Sequence, residues 1–293
     1  NFILACRAVM GVGAGFFGVR SALLFQSVPA EKRDRYVGYG NVAVYTASLL
    51  AGPVCGLLTE RGWQFSFLFN CIGLMTAVLV LLFLKEPEPA ESGEETAAGG
   101  REAGGKISVW VYILTILQAL MTGTKYPLLT GMSTLFSGRQ MGSAAMAGAA
   151  ISAYSVGAIL GGLLLSPIKK RLGSYAMAVN MFGVSVSMLA VFAIPSAAGA
   201  FAGAFLCGMT FNLSYAFNQI HAATLAPKGK MAFCSRLIFA ANGAGVYISS
   251  YFIDFCQSIF RQNIDVESGI LGGALCFLSM GLFVLVFRKQ IEE

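Results

Sequence analysis

Within an otherwise apolar run, Gln118, Thr122, Lys125 and Tyr126 recur at i, i+4, i+7 and i+8, with Pro127 following. On a helix that spacing sets all four near one face, where they can line a cavity whose cation attracts an anionic group. Lys125 also lies about 17 residues, or ~26 Å, from the start of its run, so its stem can instead snorkel to the far surface. The spacing leaves both readings open. Asn212, Tyr215 and Gln219 share a face of another apolar run, with Asn218 beside it. Several amides on one such helix indicate a polar lumen, and interhelical hydrogen bonding is the alternative. Tyr154, Asn242 and Tyr247 are weaker candidates for the same lumen. In the run that opens the chain, Arg7, Gly11, Gly15 and Gly18 fall on one face at i, i+4, i+8 and i+11. A mid-helix arginine costs roughly 3 kcal/mol against lipid, so this face must meet another helix or a watery cavity. There Arg7 carries a function or bonds to carbonyls as a structural residue.

The chemistry available to these groups is binding, not bond breaking. No Asp or Glu falls in the middle of an apolar run, and Asp254 stands only at the end of one. A membrane-embedded transferase or protease needs paired acids with a metal, or a nucleophile with its base. Ser214 lies seven residues from His221 with no GxSxG setting, and His221 is the single histidine. The seven cysteines form no CxxC pair. No enzyme, metal site or cofactor is expected.

Composition explains where these residues must sit. The chain is 56% hydrophobic and 12% charged, with mean hydropathy +0.71, far from soluble usage. Nine runs approach the roughly 20 residues that cross a bilayer: 2–26, 37–58, 65–84, 108–130, 144–166, 175–194, 198–221, 231–253 and 268–287. An all-α membrane protein follows. Fourteen Lys and Arg fall in alternate loops, among them Lys32, Lys169, Lys170, Arg171 and Arg288, against Arg61, Arg139 and Arg261 in the others. The richer set is cytoplasmic. The net charge of +6 therefore reports topology, and nucleic-acid binding is excluded.

Residues 85–107, rich in Glu, Gly, Ala and Pro, read as a flexible tether between three spans and six. Val28-Pro-Ala-Glu-Lys32 and Ala226-Pro-Lys-Gly-Lys230 match at an offset of 198, a weak sign of parallel repeats. Duplicate halves would put about three further spans before Asn1. Ser48, Gly52 and Gly56 make a small-residue stripe beside Pro53, which predicts close helix contact and a kink. Gly157 and Gly161 predict a packing seam.

Arg7-x-x-Met10-Gly11-x-Gly13 resembles the fourth-helix motif R-x-x-q-G-x-G of the major facilitator superfamily. Gly52, Pro53 and Gly56 resemble the fifth-helix motif g-x-x-x-G-P-x-x-G-G of its drug and sugar efflux antiporters, with Ser48 and Leu57 replacing the outer glycines. Pro29, Glu31, Arg33, Gly62-Trp63 and Phe67 also look like the family. Gly162 to Gly173 resembles its basic loop without the aspartate. The resemblance implies nine of twelve helices of a major facilitator-like bundle. Residues 1–84 would be the last three helices of the N-terminal half, 85–107 the cytoplasmic linker, and 108–293 the C-terminal six-helix half. It further implies a monomer in the cell membrane, exchanging a small organic molecule such as a drug or sugar for protons by alternating access. A facilitator or importer of a small, possibly anionic metabolite is the alternative.

Overall fold

The computed structural model describes residues 28, 30–61, 71–83, 107–227 and 230–292, and among them it contains helices and no strand. Ten α-helices follow in order. They are α1 (Ala30–Arg61), α2 (Ile72–Phe83), α3 (Val109–Thr130), α4 (Met132–Gly138), α5 (Ala144–Leu172), α6 (Ala176–Ala193), α7 (Ala197–Thr224), α8 (Met231–Phe260), α9 (Asp265–Val286) and α10 (Arg288–Glu292). Seven of these have 18 residues or more, enough to cross a hydrocarbon core. Among the described residues, three stretches are long and apolar enough to cross a membrane: Met146–Ala193, which covers α5 and α6, Ala197–Thr224, and Asp265–Val286. Gln118, Thr122 and Lys125 lower the apolarity of α3, and its burial pattern shows why it carries them. Val109, Tyr112, Ile116 and Leu120 are exposed along one side, while Leu114, Gln118, Met121, Thr122 and Lys125 are buried on the other. The apolar face thus looks outward and the polar face inward, as a bilayer demands.

Small residues set how closely the helices approach. A Cβ on Gly157, Gly161 or Gly208 would run into the backbone of Phe205, Met209 or Tyr154, so α5 and α7 touch main chain to main chain along the GxxxG seam. Gly123 and Gly245 do the same for α3 and α8, a Cβ on Gly123 falling 3.1 Å from the Gly245 oxygen. Gly38 and Gly162 join α1 to α5. Behind these pairs, α6 packs between α7 and α9, and the Ser185 hydroxyl donates to the Ala274 carbonyl at 2.7 Å.

The ends of the bundle are tied separately. Arg139 at the end of α4 pairs with Glu267 and donates to the carbonyls of Val191 and Phe192, both at 2.9 Å. One guanidinium thereby satisfies two of the orphan carbonyls that close α6. At the opposite end Arg288 lies 4.4 Å over the Tyr175 ring.

Several boundaries differ from the runs, α1 beginning at Ala30 and not at 37 and α8 ending at Phe260 and not at 253, and two more differences are continuations of helix. The run 144–166 ends just before Pro167, yet α5 continues through that proline to Leu172 and ends at Gly173, whose φ of +48° suits glycine. The run 108–130 was expected to give way to a loop. Gly131 instead keeps right-handed helical geometry (φ −91°, ψ 0°) and leads directly into α4, whose Met132, Leu135 and Phe136 are fully buried. Arg7, Gly11 and Gly13, Pro29, Gly62-Trp63 and Phe67, and nearly all of the 85–107 tether lie outside the described residues. Gly52, Pro53 and Gly56 fall within the helical course of α1.

Candidate functional site

The continuation of α3 into α4 decides where Lys125 lies. With helix on both sides, the residue stands well inside the bundle, and only 5% of it is exposed. Its ammonium faces rings: Nζ lies 4.2 Å from the Phe211 centroid, 4.7 Å from Tyr126 and 5.3 Å from Tyr154. It also donates to the Tyr154 hydroxyl at 3.4 Å. Ring quadrupoles partly replace the water that a buried cation has lost. Among the described residues no carboxylate pairs with it, since the ion pair found there is Arg139–Glu267.

This cage is one wall of a cavity of about 440 Å³. From α1 come Asn41, Tyr45 and Ser48, and from α3 come Lys125, Tyr126 and Leu129. The rest of the lining is Tyr154 and Ser155 of α5, Phe211, Tyr215 and Gln219 of α7, and Ser235, Phe239 and Asn242 of α8. Tyr45 meets Tyr154 edge to face at 6.2 Å, and Phe211 stacks on Tyr215 at 6.5 Å. The Gln219 amide donates to the Tyr215 hydroxyl at 2.7 Å. Asn41 is 5% exposed, and its Nδ2 has no hydrogen-bond partner among the described residues. An unpaired buried amide is costly, so this group is poised for an acceptor.

The remaining amides hold helices together. Thr122 donates to Asn242 Oδ1 at 2.7 Å, Gln118 Nε2 to Thr122 at 3.1 Å, and Asn218 Nδ2 to Gln118 Oε1 at 2.8 Å. The chain links α3, α7 and α8, and it reaches the cavity only through Asn242. Asn218 Nδ2 also bonds to the Leu114 carbonyl at 3.1 Å, and Asn212 Nδ2 to the Ala158 carbonyl at 2.6 Å. Of the residues singled out from sequence, Lys125, Tyr126, Tyr154, Tyr215, Gln219 and Asn242 therefore line the cavity. Gln118, Thr122, Asn212 and Asn218 lie between helices.

Tyr247 turns out of the lumen expected for it: it is 72% exposed and stands beside Tyr251 on the outer surface of α8. Asn41, Tyr45, Ser155, Phe211 and Phe239 escaped the sequence reading. A signal existed for one group, because Asn41, Tyr45 and Ser48 repeat at i, i+4 and i+7 as Gln118, Thr122 and Lys125 do. Phe211 carries no such mark, being one phenylalanine among 23.

The described residues thus form a helical bundle around a polar, aromatic-walled cavity. The sequence profile of the Major Facilitator Superfamily matches residues 1–253, and the chain belongs to that family. It is similar to the MFS-type efflux pump MFS1 of Arthroderma benhamiae, 32% identical over 129 residues, which is 41% of this chain and 24% of that protein. It is also similar to the multidrug resistance protein MdtG of Serratia proteamaculans, 27% identical over 192 residues, or 64% of this chain and 47% of the relative. A third, the MFS-type transporter VdtG of Byssochlamys spectabilis, is 33% identical over 90 residues, 30% of this chain and 16% of that protein. The chain spans about a quarter to a half of the length of the first two of these curated relatives.

Proposed function

We propose that the protein is a secondary transporter that exports small organic molecules in exchange for protons, by alternating access of two helical halves. The observation that carries this reading is the shared lining of the cavity: α1 supplies one wall, and helices from beyond residue 107 supply the rest. In the proposed division, residues 1–84 belong to the first half, 85–107 link the halves, and 108–293 form the second. The cavity then lies on the seam between the two bodies, where rocking would expose it to each face in turn. Arg7, Gly11 and Gly13, with Gly52, Pro53 and Gly56, are proposed to serve the motion or its coupling, and Lys125, Tyr126, Tyr215 and Gln219 to contact solute. The relatives' names as efflux pumps and a multidrug resistance protein support export. The working unit is proposed to be a monomer in the cell membrane.

Counterflow in proteoliposomes tests this, with 1-naphthalenesulfonate and its neutral sulfonamide as trial solutes. A solute should accumulate against its gradient while a pH gradient is imposed, and the accumulation should collapse with the gradient. Uptake indifferent to the gradient would instead mark a facilitator or importer, the second reading that a cation in the cavity supports.

A further inference from the structure

The described lining of the cavity carries charge of one sign. Its one ionic group within the described lining is Lys125, and that cation has three N–H donors but a single long hydrogen bond, to Tyr154. The Asn41 Nδ2, also buried at the cavity wall, has no acceptor among the described residues. Both groups thus keep N–H donors without acceptors beside a space large enough for a small organic molecule. A cationic solute would meet like charge, and the ring faces that would attract it are already turned to the ammonium. An oxyanion would accept from Nζ and from amides and hydroxyls of the wall, forming charge-assisted hydrogen bonds. The aromatic walls suit a flat apolar body.

We infer that the cavity binds organic anions, meaning a sulfonate, phosphate or carboxylate carried on a ring-bearing apolar body. This deepens the transport reading and rests on it only in calling the bound solute cargo.

The test is calorimetric binding to the full chain in phosphatidylcholine nanodiscs. Its probes are 1-naphthalenesulfonate, neutral 1-naphthalenesulfonamide and (1-naphthylmethyl)trimethylammonium. The sulfonate should bind, the sulfonamide should bind roughly tenfold or more weakly, as loss of a charged hydrogen bond entails, and the ammonium more weakly still. Lys125→Met should erase the preference, Lys125→Arg should keep it, and Asn41→Leu should weaken the sulfonate more than the sulfonamide. Equal binding of the three probes to the unaltered protein, or no saturable sulfonate binding, overturns the inference even if Lys125→Met does not fold. Loss of sulfonate binding when phosphatidylglycerol replaces phosphatidylcholine assigns the site to a lipid headgroup and also overturns it. The two readings fail separately. Counterflow without charge preference would leave transport standing and sink the anion site; Lys125-dependent sulfonate binding without counterflow would do the reverse.

Discussion

Lys125 and Asn218 are both buried polar residues in apolar helices, yet their surroundings give them different work. Lys125 opens on a cavity and is ringed by Phe211, Tyr126 and Tyr154. Asn218 is fully buried and spends its amide on Gln118 and on the Leu114 carbonyl. Asn218→Leu should therefore strand Gln118 and lower stability by about 1–3 kcal/mol, read as a fall in melting temperature in detergent, while solute affinity holds. A loss of affinity at unchanged melting temperature would mean that Asn218 faces solute after all. Tyr154→Phe keeps the ring and removes the hydroxyl that accepts from Lys125. It should weaken sulfonate binding only about 2- to 10-fold, the worth of one ordinary hydrogen bond, as measured by the same calorimetry. Spacing alone placed all these polar residues inward but did not separate tie from lining. That distinction depends on which neighbouring helix supplies a carbonyl or amide, and no single helix encodes it.

The helices were largely legible because hydrocarbon length and the absence of charge are local properties. Long runs became α1, α3 and α5 to α9, with ends shifted by a few residues. What escaped were the continuations. Pro167 lies near the end of a helix, where its missing N–H removes one bond, which α5 tolerates. The run ending at 130 gives no sign that Gly131 carries the helix onward into α4. That continuation is why Lys125 stands too deep to snorkel. The glycine seams were legible as a pattern, though their partners were not. A side chain on Gly157 would collide with the Phe205 backbone, whereas one on Gly243 would meet nothing within 4 Å. Gly157→Val should thus separate α5 from α7 and cost about 1–3 kcal/mol or more. Gly243→Ala should be neutral or stabilise by up to about 1 kcal/mol through helix propensity. Thermal unfolding of the two variants side by side checks the contrast, and equal effects would contradict the assigned seam.

In the whole molecule, α1 packs against α5 through Gly38 and Gly162, and both helices contribute side chains to the cavity lining. A motion of one half against the other would slide this contact and change which end of the cavity is open. Alternation of basic loops fixes the expected orientation: cysteines replacing Lys170 and Arg261 should react with an impermeant reagent from opposite faces of the membrane. The most direct measurement puts one cysteine in the cavity itself. Ser155 lines it and is 7% exposed, and Ser155→Cys in a background without the native cysteines is nearly isosteric. In sealed vesicles of known orientation, an impermeant thiol reagent should label this position when applied from either side, and 1-naphthalenesulfonate should protect it from both. Labelling confined to one face, under every gradient and with or without solute, would contradict alternating access.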